Sequence, residues 1–212
     1  MLSAMQKDVL TEFVNVYIGH AAALLSEMTN QKVELHIPEI ELLLTADTEL
    51  SALYDPHVFS SGHIISSSLK FGQDFKGKSF LIFPAKQAPY LISACMGEEL
   101  PAGSEAAERQ LIDTDFDVLK EIGNVILNSV IGGFGNLLET YLEYSLPEVE
   151  LVFVSENDQK QVLHDNVYIL ILRTTFTLSK AKIQGAIMIA LNMNSVSQLL
   201  QKIDRILVDA NA

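Results

Sequence analysis

Basic residues and cysteine are scarce in this sequence. Lys and Arg together number 14 against 27 Asp and Glu, so the formal net charge is −13. Nucleic-acid binding and docking on anionic lipid both depend on Lys and Arg, and the acidic balance argues against both functions. The one cysteine, Cys95, cannot form an internal disulfide, which fits a reducing cytoplasm.

Long apolar runs are also missing. No uninterrupted run reaches the roughly 18–20 residues of a membrane span, and the N-terminus lacks the charged-then-apolar pattern of a signal peptide. Hydrophobic residues nevertheless make up 49% of the chain, as in ordinary globular proteins. A chain of this length can bury about 70% of its unfolded surface, which is enough for a sizeable core. The composition therefore predicts a folded, cytoplasmic protein of one or two domains.

The residue patterns of common catalytic and metal sites are missing too. The five histidines do not show the spacing of metal ligands, and no Ser/His/Asp or Cys/His arrangement is visible. Cys95 lies in an apolar segment, which favours a small buried side chain over a nucleophile. We therefore expect neither a metal nor a cofactor of the chain's own. The histidines are His20, His36, His57, His63 and His164.

What the sequence does contain is a line of polar side chains in a strongly apolar segment. Asp117, Glu121 and Asn124 are spaced four and three residues apart, and in a helix such positions lie above one another on one face. Asn128 continues the line. A polar line between two apolar lines is unusual for a helix that only has to pack. The flanking apolar residues are Val118, Ile122 and Val125 on one side and Leu119, Ile126 and Val130 on the other.

The same pattern occurs a second time, near the N-terminus. Asp8, Glu12 and Asn15 repeat the spacing, and in each copy a proline follows the asparagine after 22 intervening residues, at Pro38 and Pro147. Every position of the second copy lies 109 residues after its counterpart, which indicates an internal duplication. A solvated helix face would explain one such line, but its repetition at identical spacing favours a functional role.

The pattern Asp-x3-Glu-x2-Asn-x22-Pro, present twice, closely resembles the signature of the CheC-type phosphatases of bacterial chemotaxis, the CheC/CheX/FliY family. The run Glu-Ile-Gly-Asn-Val at 121–125 matches the family's commonest form, and residues 19–26 resemble its small-residue helix continuation. The resemblance covers nearly all of the 212 residues. The first copy departs from it at Phe13-Val14, where the second copy has Ile122-Gly123.

The resemblance implies a fold and a domain organisation. It implies an α/β (α+β) two-layer sandwich, internally duplicated and pseudo-two-fold, whose mainly antiparallel sheet carries the two motif helices on one face. We therefore expect one CheC-like domain over residues 1–212, made of two repeats at about 1–97 and 106–212. Local patterns predict an irregular connection at 45–60 and a linker at 97–105. They also predict helices at 6–29, 86–96, 107–141 and 194–207, and strands at 32–37, 63–71, 79–83, 148–155, 167–177 and 182–191.

The resemblance also implies an activity, hydrolysis of the aspartyl phosphate of a CheY-like response-regulator receiver domain. An acyl phosphate is already reactive and the receiver supplies its own Mg²⁺ and lysine, so the main requirement is a water held in line with the phosphorus. In this scheme the motif asparagines orient that water, the glutamates engage the receiver's lysine, and the aspartates help to orient the helix or the partner. The catalytic residues would be Glu12, Asn15, Glu121 and Asn124, supported by Asp8, Asp117, Pro38 and Pro147.

A second interpretation stays open at this point. In it the protein is a non-catalytic adaptor that binds a receiver domain or CheD, a receptor deamidase that some CheC proteins bind, and the duplicated motif is vestigial. The intact Glu and Asn in both copies favour catalysis, because a scaffold has no evident need of them.

Two further motifs match nucleotide-binding patterns only in their letters. Gly72-x4-Gly77-Lys78-Ser79 satisfies the phosphate-loop pattern, but a strand-like run ended by Pro84 follows it where a helix would be required. We therefore predict a hairpin turn. A glycine-rich run at 132–135 lies inside the long helix pattern, and we predict close helix packing there instead of a dinucleotide site.

Overall fold

The computed structural model describes residues 2–45, 48–49, 62–98, 110–155, 158, 162–163, 167–178 and 181–210. In these residues a long helix precedes four strands, two α-helices, five strands and a last helix. The predicted connection at 45–60 and the predicted linker at 97–105 lie largely outside these residues. The helices are α1 (Ala4–Thr29), α2 (Ala88–Met96), α3 (Asp113–Leu138) and α4 (Met193–Ala210). The strands are β1 (Val33–Leu44), β2 (Thr48–Glu49), β3 (Gly62–Gly72), β4 (Gly77–Pro84), β5 (Glu143–Tyr144), β6 (Glu148–Val154), β7 (Val162–Leu163), β8 (Tyr168–Leu178) and β9 (Ala181–Leu191).

The strand pairings between the described residues are all antiparallel. One sheet has the order β1-β8-β9-β4-β3, and the second edge of β3 pairs with β5 and β6. β2 and β7 pair with each other. The predicted hairpin is confirmed, because β3 and β4 pair from Ile64↔Pro84 to Phe71↔Gly77. The prediction of a mixed α/β fold with a mainly antiparallel sheet is therefore confirmed.

The first motif helix, α1, ends at the predicted residue and begins two residues before the predicted start. Ser3 is the N-cap, and its Oγ accepts a hydrogen bond from the Gln6 N–H at 3.2 Å while Gln6 Oε1 accepts from the Ser3 N–H at 2.9 Å. This reciprocal pair satisfies two backbone donors that a helix N-terminus leaves free. Asn30 ends the helix in the left-handed conformation with φ of 48°.

The second motif helix, α3, is shorter than the predicted 107–141. Its start is set by Asp115, whose carboxylate accepts a hydrogen bond from the Ile112 N–H at 3.0 Å. Its end is set by Glu139, which takes the left-handed conformation with φ of 55° and accepts from Lys202 Nζ of α4 at 2.6 Å. The apolar period alone did not reveal these two ends, because the N-cap residue Ile112 and the C-cap residue Glu139 are both uncommon at those positions.

The first motif proline, Pro38, lies inside a strand, whereas the sequence predicted a strand that ends at residue 37. β1 runs continuously through Pro38, and its register against β8 shifts between His36 and Glu39. A shift of this kind accommodates a residue that has no N–H for the ladder. Glu39 accepts from Arg173 Nε of β8 at 3.0 Å, directly after the shift. The second motif proline, Pro147, does precede its strand, β6.

Both motif helices pack into one hydrophobic core with one face of the sheet. Strand side chains alternate between faces, and those of the opposite face form a second, smaller cluster. β8 and β9 have apolar side chains on both faces, and each face contributes to one of the two buried clusters. The larger includes Leu10, Val14 and Ile18 of α1, Leu119, Ile122 and Ile126 of α3, and Ile65, Leu170 and Ile187 of the strands; the smaller includes Ile64, Ile82, Ile171 and Met188.

The glycine-rich run of α3 lies where the two motif helices touch. A Cβ on Gly133 would come within 2.5 Å of the Tyr17 ring of α1. The rings of Phe13 and Phe134 are 5.5 Å apart, and Asn136 Nδ2 donates to the Tyr17 hydroxyl at 3.4 Å. The prediction of close helix packing is therefore confirmed.

This contact leads to a stability prediction with a matched control. We expect Gly133→Ala to lower the free energy of unfolding by up to about 2 kcal/mol, because an overpacking cost of about 1–3 kcal/mol outweighs the gain of about 1 kcal/mol in helix propensity. Gly19→Ala, on an exposed stretch of α1 with no atom within 4 Å of the new Cβ, should instead raise stability by up to about 1 kcal/mol. Urea unfolding of the two variants measures both effects. Equal stabilities would show that the helix contact is looser than described.

One helix in the described residues, α1, is long and apolar enough to cross a membrane by length and composition alone. The sequence analysis expected no membrane span because it searched for uninterrupted apolar runs. The charged residues Asp8 and Glu12, on the exposed face of α1, interrupt such a run. Its opposite face is buried in the core, at Leu10, Val14, Ile18, Ala21 and Leu25. The folded domain thus buries one face of α1, while Met5, Val16, Leu24 and Met28 remain exposed.

Candidate functional site

The first polar line lies on the exposed face of α1. Asp8, Glu12 and Asn15 are all exposed, while Val14 and Ile18 between and beyond them are buried. Glu12 also lines an apolar groove of about 280 Å³. The groove residues of α1 are Val9, Leu10, Phe13 and Val16, and Leu137, Ile203 and Ile206 come from α3 and α4. The first motif therefore presents two carboxylates and one carboxamide to solvent, and Glu12 stands beside an apolar groove.

The second polar line lies on α3 and is less open. Asp117 and Glu121 are exposed, whereas Asn124 and Asn128 are half-buried. The residues that flank the line, Leu119, Ile122, Ile126 and Val130, are buried in the core. The structure thus brings Glu and Asn to one helix face in both copies, with different degrees of exposure for the two asparagines.

Gly123 explains part of that difference. A Cβ at this position would overlap Ser67 Oγ of β3, so only glycine allows α3 to approach the strand this closely. The corresponding residue of α1 is Val14, which is 1% exposed and packs in the core instead. The departure Phe13-Val14 from the family's commonest form therefore marks a real difference in how each helix sits on the sheet.

The carboxamide of Asn124 is held by its neighbour one turn along the helix. Asn128 Nδ2 donates a hydrogen bond to Asn124 Oδ1 at 2.6 Å. Residues four apart on a helix face each other, so this contact follows from the spacing. The sequence signal was visible, because Asn128 continues the polar line. In the first copy the corresponding residue is Gly19, and Asn15 has no such neighbour.

The acidic residues of both motifs are free for an external partner. Within the described part of the chain, Asp8, Glu12, Asp117 and Glu121 have no ion pair and no side-chain hydrogen bond. Some other carboxylates are paired, as Glu39 and Glu41 are with Arg173 at 3.0 Å each. Unpaired, exposed carboxylates keep their full capacity to accept charge-assisted hydrogen bonds from a cation on another molecule.

The two motifs lie at opposite ends of the helix pair. Phe13, next to the first motif, contacts Phe134 near the end of α3. Ile122, within the second motif, lines a small cavity with Leu25 and Thr29 near the end of α1. The helices therefore run antiparallel. At 1.5 Å per residue the two motifs are separated by roughly 15–20 Å along the helix axes.

The two motif prolines and Cys95 lie outside the two motif helices. Pro38 lies within β1 and Pro147 just before β6. Cys95 is half-buried, and burial raises the pKa of its thiol to about 11, so the thiolate needed of a nucleophile is disfavoured. Among the residues that the structure describes, no three His, Cys, Asp or Glu side chains cluster as metal ligands. His57 and His164 lie outside those residues.

The segment that matches the phosphate-loop pattern, residues 72–79, leads to a further prediction. Lys78 pairs with Ala190 of β9 and Ser79 with Ile189, so the backbone after Gly77 belongs to the sheet and does not begin a helix. We therefore expect Lys78→Ala to leave any phosphatase activity unchanged. Calorimetric titration should show no ATP binding at micromolar concentration to either the original protein or the variant. Micromolar ATP binding that is lost in Lys78→Ala would overturn this assignment.

Known proteins with similar sequences and structures are found among chemotaxis and flagellar proteins. No protein-family model matches the chain. The CheY-P phosphatase CheC of Bacillus subtilis is 27% identical over 146 residues, which are 69% of this chain and 66% of that protein. The flagellar motor switch phosphatase FliY of Bacillus subtilis is 22% identical over 177 residues, 84% of this chain and 43% of that protein. The matches thus span about two thirds of CheC and less than half of FliY.

A solved structure supports the fold over the whole chain. FliY from Thermotoga maritima matches with a TM-score of 0.74 and 15% identity, covering 97% of this chain and 98% of that one. At this identity the likeness concerns the fold.

Proposed function

Since this chain is a homologue of CheC and FliY, we propose that it is a phosphatase that hydrolyses the aspartyl phosphate of a CheY-like receiver domain in chemotaxis signalling. The family resemblance found in the sequence is confirmed by these relatives, and the activity of this particular chain is the proposal. The observation that carries it is a Glu and an Asn on one face of each of two helices, with exposed carboxylates that have no partner within the described residues.

The asparagines can do the chemistry that an acyl phosphate still needs. A carboxamide oxygen accepts a hydrogen bond from water, and its nitrogen donates to a phosphoryl oxygen, so one side chain can align both reactants. Water attacks phosphorus, the bond between phosphorus and the aspartate oxygen breaks, and inorganic phosphate and the receiver's carboxylate are released. Holding the water in line replaces a bimolecular encounter by a positioned one, which is a large part of catalysis for such a reaction. Asn15 and Asn124 have this role in our proposal.

The glutamates bind the partner. A receiver active site has a lysine next to its phosphorylated aspartate, and Glu12 or Glu121 accepts a charge-assisted hydrogen bond from that lysine. Asp8 and Asp117, one turn before each glutamate, support the orientation of the partner. The protein needs no cofactor of its own in this scheme, because Mg²⁺ is supplied by the receiver domain.

The two sites belong, in our proposal, to one duplicated domain over residues 1–212. α1 and α3 each have 26 residues, and both their first and last residues lie 109 positions apart. The sheet order also supports the duplication. The six strands β1-β8-β9-β4-β3-β6 are neighbours in this order. Exchanging β1 with β6, β8 with β3 and β9 with β4 gives the same order read from the opposite edge, as a pseudo-two-fold axis between β4 and β9 would require.

The partners and the compartment follow from the same activity. A phosphorylated CheY-like receiver is the substrate, and CheD is a second partner to test. Both are components of cytoplasmic signalling, and the single cysteine and the net charge of −13 fit a cytoplasmic protein that does not bind nucleic acid.

A phosphate-release assay tests the proposal. Purified receiver domains are phosphorylated with a small phosphodonor in Mg²⁺, the donor is removed, and loss of phosphate is followed with and without this protein. We expect substoichiometric amounts of this chain to accelerate release from at least one CheY-like receiver. Binding of a receiver or CheD without faster release would favour the adaptor function instead.

A further inference from the structure

We infer that Asn128 is a positioning residue that orients the Asn124 carboxamide, and that the second motif is therefore the pre-organised site of the two. The inference rests on the proposed function and concerns the division of labour between its two sites. Its basis is the 2.6 Å hydrogen bond from Asn128 Nδ2 to Asn124 Oδ1.

The hydrogen bond restricts Asn124 in a useful way. One lone pair of Asn124 Oδ1 is occupied by Asn128, which fixes the plane of the carboxamide. The second lone pair remains for a water, and the Nδ2 group remains to donate to a phosphoryl oxygen. A side chain held in one orientation loses no further rotamer freedom when the partner docks. Asn124 is thus prepared for the reaction before the receiver arrives.

The position of Asn128 is otherwise unfavourable for the fold. The residue is half-buried, and within the described part of the chain its buried Oδ1 has no hydrogen-bond partner. A buried polar atom without a partner is costly, and an apolar side chain would pack there without that cost. A role in holding Asn124 accounts for an asparagine at this place.

The first motif lacks this device. The position that corresponds to Asn128 is Gly19, and Asn15 is exposed on α1. A Cβ on Gly19 would meet no atom within 4 Å, so an asparagine could be accommodated there. The absence of a donor at position 19, and not a lack of space, leaves Asn15 free to rotate.

The decisive experiment isolates each site. In an Asn15→Ala background, where only the second site can act, we expect Asn128→Ala to lower kcat by about 10-fold to 10²-fold with an unchanged KM for the phosphorylated receiver. Asn128→Asp, which keeps the shape but has no donor, should not rescue kcat. The effects of Asn128→Ala and Asn124→Ala should be non-additive, because the first acts through the second. In an Asn124→Ala background, Gly19→Asn should raise the kcat of the first site above that of the matched control Gly19→Ala.

A direct readout keeps the inference separate from the proposed function. ¹⁵N relaxation of the Asn124 side-chain amide should show an ordered group in the original protein and a mobile one in Asn128→Ala. Unchanged order, or additive effects on kcat, would overturn the inference even when phosphate release is robust. Absence of phosphate release from the Asn15→Ala reference would overturn the proposed second site and the catalytic part of the inference together. The relaxation data would then still decide whether Asn128 orders Asn124.

Discussion

Replacing Glu12, Asn15, Glu121 and Asn124 together by alanine will abolish receiver-dependent phosphate release and leave the fold intact. The four side chains are exposed or half-buried on helices, so their removal takes nothing out of the core. Each asparagine positions a reactant, and loss of such a group costs on the order of 10²–10³ in rate at its own site. The Glu121→Ala, Asn124→Ala pair alone should remove only part of the activity, because the other site lies roughly 15–20 Å away on α1.

The measurement is phosphate release from a phosphorylated receiver, together with receiver binding and circular dichroism. Binding should fall less than turnover, since the apolar surroundings of each site remain. A matched control replaces two exposed polar residues outside the motifs, Glu27→Ala and Gln201→Ala, and should keep full activity. Full activity in the fourfold variant would rule out the proposed chemistry.

Replacing Asn124 by aspartate in an Asn15→Ala background will be at least as damaging as replacing it by alanine, about 10²-fold to 10³-fold. Aspartate keeps the size and shape of asparagine, and its Oδ1 can still accept from Asn128, so packing should survive. It loses the amide donor and adds a negative charge near a phosphoryl group that is already anionic. A carboxylate with an ordinary pKa near 4 is also a weak base toward water, which limits rescue by general-base catalysis.

This substitution tests the mechanism more sharply than alanine does. The readout is again phosphate release, with circular dichroism and urea unfolding to confirm that the variant is folded. Asn15→Ala alone is the reference. Turnover equal to the reference would mean that the amide does not position the water, and the role of Asn124 would have to be abandoned.

The local sequence was sufficient for features whose hydrogen bonds close within a few residues. Ser3 and Asn30 mark the ends of α1 because capping contacts reach only three or four residues along the chain. The hairpin of β3 and β4 was predictable for the same reason, since its turn spans only Gly72 to Gly77. The spacing of the two motifs placed Glu and Asn on one face of each helix, because helical periodicity is a local property.

Other features depended on contacts between residues far apart in the sequence. Glu139, the left-handed residue that ends α3, contacts Lys202 on another helix, and β1 continues through Pro38 with a register shift against β8 beside it. The order of the strands, in which β1 pairs with β8, joins residues more than a hundred positions apart. Neither composition nor periodicity contains this information, because these bonds form only when the sheet assembles.

The sequence by itself determined the chemistry that each helix can offer, and the tertiary structure decided how the two copies differ. Two sets of Glu and Asn at identical spacing are a property of the chain alone. The difference in exposure between the two asparagines is not a property of the chain alone. It arises because Gly123 lets α3 approach Ser67 of β3, while Val14 packs into the core at the corresponding place on α1. Close approach is a matter of sterics between distant segments, so the half-buried setting of Asn124 and the exposure of Asn15 became visible only in the folded protein.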